Sequence, residues 1–267
     1  MSVLVDRIRS GKKAGIAMVQ LDALPGSSMY RDGSLSQMIK VSVAEAQVLA
    51  EAGFDAIMLQ NLGDLPVSHK VTPPQMAWME RVVVEVAAAV RIPVGLNFLE
   101  NDAEANLSVA SAAGLDFVRL KVFVGVMVTP FGLVSGCAHE AALTRNLLHA
   151  QDIAIFADVH DRTGINLGGR ELEPDIRESV DLGHADGLVL TGGSFDESMA
   201  FLKKAKAKYA RLPLLLGGSA NETNLATALA VADGVIVSTA LKDTDSAFGR
   251  VNPAKAAGFM KALRRIG

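Results

Sequence analysis

Asp158 and His160 stand two residues apart in FADVH (156–160), and Arg119 and Lys121 two apart in FVRLKV (117–122). The intervening residues are apolar, so each pair shares one face of a strand whose other face packs on helices. A carboxylate beside an imidazole serves proton transfer or metal ligation. Two cations pointing inward are costly unless paired or ligand-bound. They read either as a structural ion pair, with Asp158 for instance, or as an anion clamp. In the second case Arg119 holds the anion and Lys121 acts as a base or Schiff-base amine. Asp-x-His is a sparse zinc signal, because zinc takes further His or Cys ligands. No cofactor is expected; a divalent metal would have to draw on Asp22 and Asp64, the other carboxylates near strand ends.

These residues belong to a wider pattern. MVQLD (18–22), IMLQN (57–61), VGLNF (94–98), VRLKV (118–122) and FADVH each end an apolar strand on an inward polar position. Gln20, Gln60, Asn97, Lys121 and His160 are thereby expected to face one interior. Predicted strands fall near 16–21, 54–60, 93–98, 116–122, 152–159, 186–191, 213–217 and 234–238. Helical runs lie near 42–52, 74–90, 101–113, 138–149, 196–208, 221–231 and 253–265, with a short one near 172–182. Unbroken alternation of this kind makes parallel βα units. Eight strands fit an α/β fold, a single (β/α)8 barrel over 1–267, or an open doubly wound sheet. The absence of G-x-G-x-x-G after the first strand favours the barrel. A polar ring at the C-terminal ends of barrel strands is where such folds bind ligands.

The last strands carry a second signal. The seventh runs into Gly217-Gly218-Ser219, before a helix expected to open at Asn221, and the eighth ends in Ser238-Thr239. Small residues let backbone N–H groups approach an anion, and a helix N-terminus adds positive potential. Thr191-Gly192-Gly193-Ser194 could complete a phosphate cradle, and Lys242 is near enough in sequence to add charge. Three long segments, 22–41, 61–73 and 123–137, are read as loops over the same end of the barrel. Asn101-Asp102 reads as a helix N-cap, with Asp102 also at the rim.

The 267 residues are half hydrophobic and include 24 glycines, with a net charge of −3. That balance lacks the basic stripe of a nucleic-acid surface. No run of 18 apolar residues is present, so no transmembrane segment is predicted. The charged start MSVLVDRIRSGKK is unlike a signal peptide, which makes a cytoplasmic protein the expectation. Cys137 stands alone, excluding an internal disulfide and reading as small packing rather than a nucleophile. Trp78 with Met76 and Met79 reads as core packing or as part of a homo-oligomer interface.

In order along the chain, MVQLDALPGS (18–27), QNLGDLPV (60–67), IPVGLNFLEND (92–102), FVRLKVFVGVMVT (117–129), FADVH (156–160) and ADGVIVSTALK (232–242) resemble the BtpA/SgcQ family. The resemblance implies a (β/α)8 barrel similar to phosphate-binding barrels such as phosphoribosylanthranilate isomerase. It also implies a link either to photosystem I biogenesis or to sugar-utilisation gene clusters. Asn61, Asp64, Asn97, Asn101, Asp102, Arg119 and Asp158 match the family pattern. Gln20 stands where the family has histidine, Gln60 where it has glutamate and Lys121 where it has asparagine, and Arg162-Thr163 replaces an expected Lys-His.

The leading expectation is an enzyme acting on a small phosphorylated or otherwise anionic sugar- or nucleoside-type metabolite. Asp158, His160, Lys121 and Asp64 are its candidate catalytic residues. Gln20, Asp22, Gln60, Asn61, Asn97, Asp102, Arg119 and Thr191 are candidate substrate contacts. Gly192, Gly193, Gly217, Gly218, Ser219, Ser238 and Thr239 are candidate phosphate ligands. Isomerase, lyase and hydrolase chemistry all suit two acid/base groups and an anion clamp. The alternative is a non-catalytic assembly factor or ligand sensor, and a metal-dependent hydrolase is the third reading.

Overall fold

Period-two alternation in the strands divides the core into two regions, and the computed structural model, which describes residues 2–266, shows both. Eight parallel strands close a barrel: β1 (Ala14–Gln20), β2 (Ala56–Gln60), β3 (Val94–Asn97), β4 (Phe117–Leu120), β7 (Ala154–Val159), β9 (Gly187–Leu190), β10 (Leu214–Leu216) and β11 (Gly234–Val237). The gaps in that numbering are filled by β5 (Val126–Thr129), β6 (Gly132–Ser135) and β8 (Ile165–Asn166), a small antiparallel sheet ordered β6-β5-β8. The ring closes where Ile16 pairs with Ile236 on one side and with Ala56 on the other.

Outward-facing strand residues pack under a ring of helices: α2 (Leu35–Glu51), α3 (Pro73–Ala89), α4 (Ala103–Ala112), α5 (Ala138–Leu147), α6 (Leu172–Arg177), α7 (Phe195–Lys208), α8 (Leu225–Leu229) and α9 (Pro253–Arg264). Their starts follow local chemistry. Thr72 and Gln75 form a reciprocal capping box on α3, and Asp102, Ser194 and Asn252 accept backbone N–H groups at the starts of α4, α7 and α9. Met79 is fully buried, and Met76 and Trp78 pack partly buried against this core, so that segment serves packing. Among the described residues no helix is long and apolar enough to cross a membrane.

Inward-facing residues fill the barrel itself. Phe117 and Phe156 meet edge-on, with centroids 5.6 Å apart. Their bulk is accommodated by glycines on the neighbouring strands: a Cβ on Gly95 would overlap the Phe117 ring, and one on Gly187 would lie 2.5 Å from Phe156. Below them α1 (Val3–Arg9), an element the sequence did not announce, plugs the barrel with Leu4, Val5 and Ile8. Asp116 holds its start, accepting from Ser2 Oγ at 2.6 Å and from the N–H groups of Val3 and Leu4 at 2.7 and 3.1 Å. Its polar tie to the residue that precedes β4 explains why a seven-residue helix persists here.

Three expected segments differ. Helix α2 begins at Leu35, capped by Ser34, so the first long loop ends earlier than 41. The segment 123–137 folds as the β5–β6 hairpin, whose turn places Gly132 at φ 109°. The helix expected over 221–231 occupies only Leu225–Leu229, because Asn221 instead accepts from the N–H groups of Thr223 and Asn224 in a side-chain turn. The short run near 172–182 is α6 followed by one π-helical turn.

Candidate functional site

A cavity of about 800 Å3 opens at the C-terminal end of the barrel, the end at which barrel enzymes build active sites. Gln20 and Gln60, the last inward residues of β1 and β2, form part of its floor, with Arg119, Lys121 and Thr191. Asn97, the third member of the expected ring, lies beneath. It is fully buried, accepts from Gln60 Nε2 and donates to the Arg119 carbonyl at 2.7 Å. Asn97 therefore orients Gln60 and does not line the cavity.

Arg119 projects inward as the alternation requires and grips Asp158 with two bonds, Nε to Oδ2 at 2.8 Å and Nη2 to Oδ1 at 2.7 Å. The ion-pair reading of these residues is the one that the geometry shows. Burial alone would lower the Arg119 pKa, but Asp158 and Asp161 hold it above its ordinary value. Burial pushes the Asp158 carboxyl up against the pull of Arg119. With its side chain 1% exposed and both oxygens engaged, Asp158 is a support for Arg119, not the accessible acid/base that its strand position suggested.

His160 does not reach the cavity. Strand β7 ends at Val159, and His160 adopts φ 56°, a left-handed conformation that breaks the two-residue period. Its imidazole points to the helix layer, 2.9 Å from Asp175 Oδ2 and edge-on to Phe201. The residue brought inward instead is Asp161, which lies 3.5 Å from Lys121 Nζ and 3.8 Å from Arg119 Nη2 and receives bonds from Thr163. Burial would raise the Asp161 carboxyl, yet Lys121, Arg119 and the Thr163 donors hold it below the usual carboxylate range. Sequence reasoning missed Asp161 because extending the strand by one residue reverses which neighbour faces in. An Asp directly after the expected strand end was the only signal.

The loops after the last two strands do converge. Gly217, Gly218, Ser219, Ser238 and Thr239 all line the cavity, next to Thr191 and Arg162. A Cβ on Gly217 would overlap Thr191 Oγ1 and lie 2.5 Å from Val189 Cγ1, so only glycine fits there. Among the described residues no acceptor takes the N–H of Gly218, Ser219 or Ala220. Arg162 reaches this turn and donates to Ser219 Oγ at 3.1 Å. Thr191 Oγ1 and Gln20 Oε1 are buried without a hydrogen-bond partner. Gly192 and Gly193 stand apart: their N–H groups are taken by Ser198 and Glu197 of α7. Lys242 is also elsewhere, buried and paired with Glu45 at 3.3 Å.

The remaining candidates hold loops. Asn61 and Asp64 are fully buried and outside the cavity; Asp64 accepts from Asn61, Gln75 and the Leu24 N–H. The same two amides bridge to Glu100, a carboxylate the sequence reading passed over, whose pKa burial raises. Asp102 caps α4 and binds Lys70, while Asp22 is exposed and pairs with Arg250. Asp158, His160, Asp22 and Asp64 are thus dispersed among four separate sets of partners. No three His, Cys, Asp or Glu side chains among the described residues are grouped to hold a metal ion.

The chain is 33% identical over 251 residues to the photosystem I biogenesis protein BtpA of Synechocystis sp., covering 93% of this chain and 87% of that one. It is 28% identical over 260 residues to the sgc region protein SgcQ of Escherichia coli, covering 96% of each. Phosphoribosylanthranilate isomerase of Thermotoga maritima superposes with a TM-score of 0.56 at 16% identity, over 95% of this chain and 99% of that one, a likeness of fold. Residues 11–265 match the BtpA family along the whole barrel, and the chain belongs to that family.

Proposed function

We propose that the cavity binds a small phosphorylated metabolite and catalyses a proton transfer on it. The phosphoryl group sits on the Gly218–Ala220 turn and the Ser238–Thr239 turn, neutralised by Arg162. The observation that carries this reading is the row of unpaired N–H groups beside Arg162 on a turn where Gly217 excludes a side chain. Backbone donors of this kind recognise anions without a helix dipole, and α8 starts too far along the chain to supply one. The buried, unpartnered Thr191 Oγ1 and Gln20 Oε1 await hydroxyl groups, since an unpaired buried polar atom costs about 1–3 kcal/mol. The name of the Thermotoga neighbour, an isomerase of a phosphoribosyl compound, supports the same substrate class.

Asp161, held ionised at the floor, is the base of this reading, and Lys121 at 3.5 Å is the neighbouring cation that returns the proton or stabilises the developing charge. Isomerisation, elimination and hydrolysis each use such a pair. The test is thermal melting with ribose and ribose 5-phosphate, and adenosine and its 5′-phosphate. A ligand at 100 times its Kd adds about 2.7 kcal/mol, so phosphorylated members alone should raise the midpoint, and Arg162→Ala should abolish the rise. A flat panel refutes the phosphate site. Binding that persists in Asp161→Asn, with turnover lost, supports the catalytic assignment; binding without turnover in the unaltered protein would mark a sensor or assembly factor, in keeping with the Synechocystis relative, which is named as a photosystem I biogenesis protein.

A further inference from the structure

We infer that the ligand has two ends: a phosphorylated sugar-type moiety and, at the pole remote from the phosphate, a flat unsaturated ring. This rests on the phosphate reading above and adds what occupies the rest of the cavity.

The barrel order places β3 diametrically opposite β10, the strand that leads into the anion turn. The wall of the cavity built from the loops after β2, β3 and β4 is therefore the pole facing Gly218. Its lining is apolar: Leu65 and Val67 after β2, Leu99 after β3, and Met127, Phe131 and Val134 from the hairpin after β4. Of the polar groups in the same wall, Glu100 is engaged with Asn61 and Gln75 and Asn101 with the carbonyls of Val122 and Ser135, while the exposed His69 after β2 also lines it. Glu100 and Asn101 secure the loops, and the apolar side chains face the opening together with the His69 imidazole.

Size points the same way. A cavity of about 800 Å3 falls in the range that encloses ligands larger than a simple sugar phosphate. A phosphorylated pentose satisfies Thr191, Gln20 and the anion turn, and leaves the opposite wall against water. Phe131, 41% exposed at the hairpin tip, is the aromatic surface on which a planar group would stack. The hairpin that carries it is tied to its surroundings by Asn101 Nδ2, which donates to the Ser135 carbonyl at 3.2 Å, and by the pairing of β5 with β8, so Phe131 is presented from a fixed support. Nucleoside 5′-monophosphates and aryl glycoside phosphates share this chemistry.

Calorimetric titration with ribose 5-phosphate, uridine and its 5′-monophosphate, adenosine and its 5′-monophosphate, and phenyl ribofuranoside 5-phosphate tests it. At least one ring-bearing phosphate should bind 10-fold or more tightly than ribose 5-phosphate, and the base or the phenyl series that does so identifies the source of the ring. Phe131→Ala, a change at an exposed tip, should remove most of that advantage and leave ribose 5-phosphate binding within twofold. Phe131→Ala/Val134→Ala should remove the rest. Ribose 5-phosphate binding as tightly as every ring-bearing compound overturns the ring pole and leaves the phosphate site standing. Adenosine or uridine binding as tightly as its phosphate overturns the phosphate site, and no binding by any of the compounds overturns both.

Discussion

Replacing Arg119 by methionine separates the structural from the catalytic reading of the Arg119–Asp158 pair. The substitution removes two hydrogen bonds of 2.8 and 2.7 Å from a carboxylate that has no other partner among the described residues. Charged hydrogen bonds contribute about 1.5–3 kcal/mol each, and stranding one member of a buried pair costs about 3–5 kcal/mol. With roughly 2–4 °C per kcal/mol in a chain of this size, the melting midpoint at pH 7 should fall by roughly 6–20 °C. The pH dependence has a definite sign. Without the guanidinium, Asp158 is raised further by burial, so its protonated form is favoured in the folded protein. A raised folded-state value gives a stability contribution that is complete below the unfolded carboxylate pKa of about 3.9 and declines as pH rises. Arg119→Met should therefore lose up to about 1.4 kcal/mol per pH unit above pH 4, until the buried carboxyl ionises. Arg119→Met/Asp158→Leu removes both charges and should recover most of the loss, with no such slope. Melting of both variants without ligand between pH 5 and 8 decides it. A wild-type midpoint for Arg119→Met, or equal slopes in the two variants, refutes the reasoning.

Gly217→Ala should cost several °C in melting temperature and abolish stabilisation by ribose 5-phosphate, because its Cβ would overlap Thr191 Oγ1; calorimetry checks both. Leu4→Ala, which opens a void in the plug of the barrel, should cost about 2–5 kcal/mol, read from urea denaturation. Cys137 is buried, and burial with Glu140 nearby pushes its thiol up to about 12. Iodoacetamide at pH 8 should leave it unlabelled in the native protein and modify it fully in urea, as mass spectrometry would show.

The sequence alone determined parallel βα units, because apolar strands alternating with helices leave few ways to bury both helix and strand faces, and it favoured a barrel over an open doubly wound sheet; closure of the ring is a tertiary fact. It also pointed to the end of the barrel that holds the candidate site, since Gln20, Gln60, Arg119 and Lys121 follow the two-residue period and reach the cavity. The turns after β10 and β11 were legible for a similar reason: Gly217 and Ser238 follow directly on their strands and continue their direction. Tertiary structure decided which side chains reach the cavity. One left-handed residue at the end of β7 turned His160 outward and Asp161 inward, a reversal that no alternation rule contains. Asp158 was correctly read as inward, but only its distance to Arg119 shows that the pair neutralises itself. Asn61 and Asp64 carry the family pattern, yet they serve the loops, because Gln75 from α3 and Glu100 from the loop after β3 are folded against them. The mainly apolar wall opposite the Gly218–Ala220 turn was equally hidden. It is assembled from three loops distant in sequence, and only closure of the barrel brings them to face Gly218.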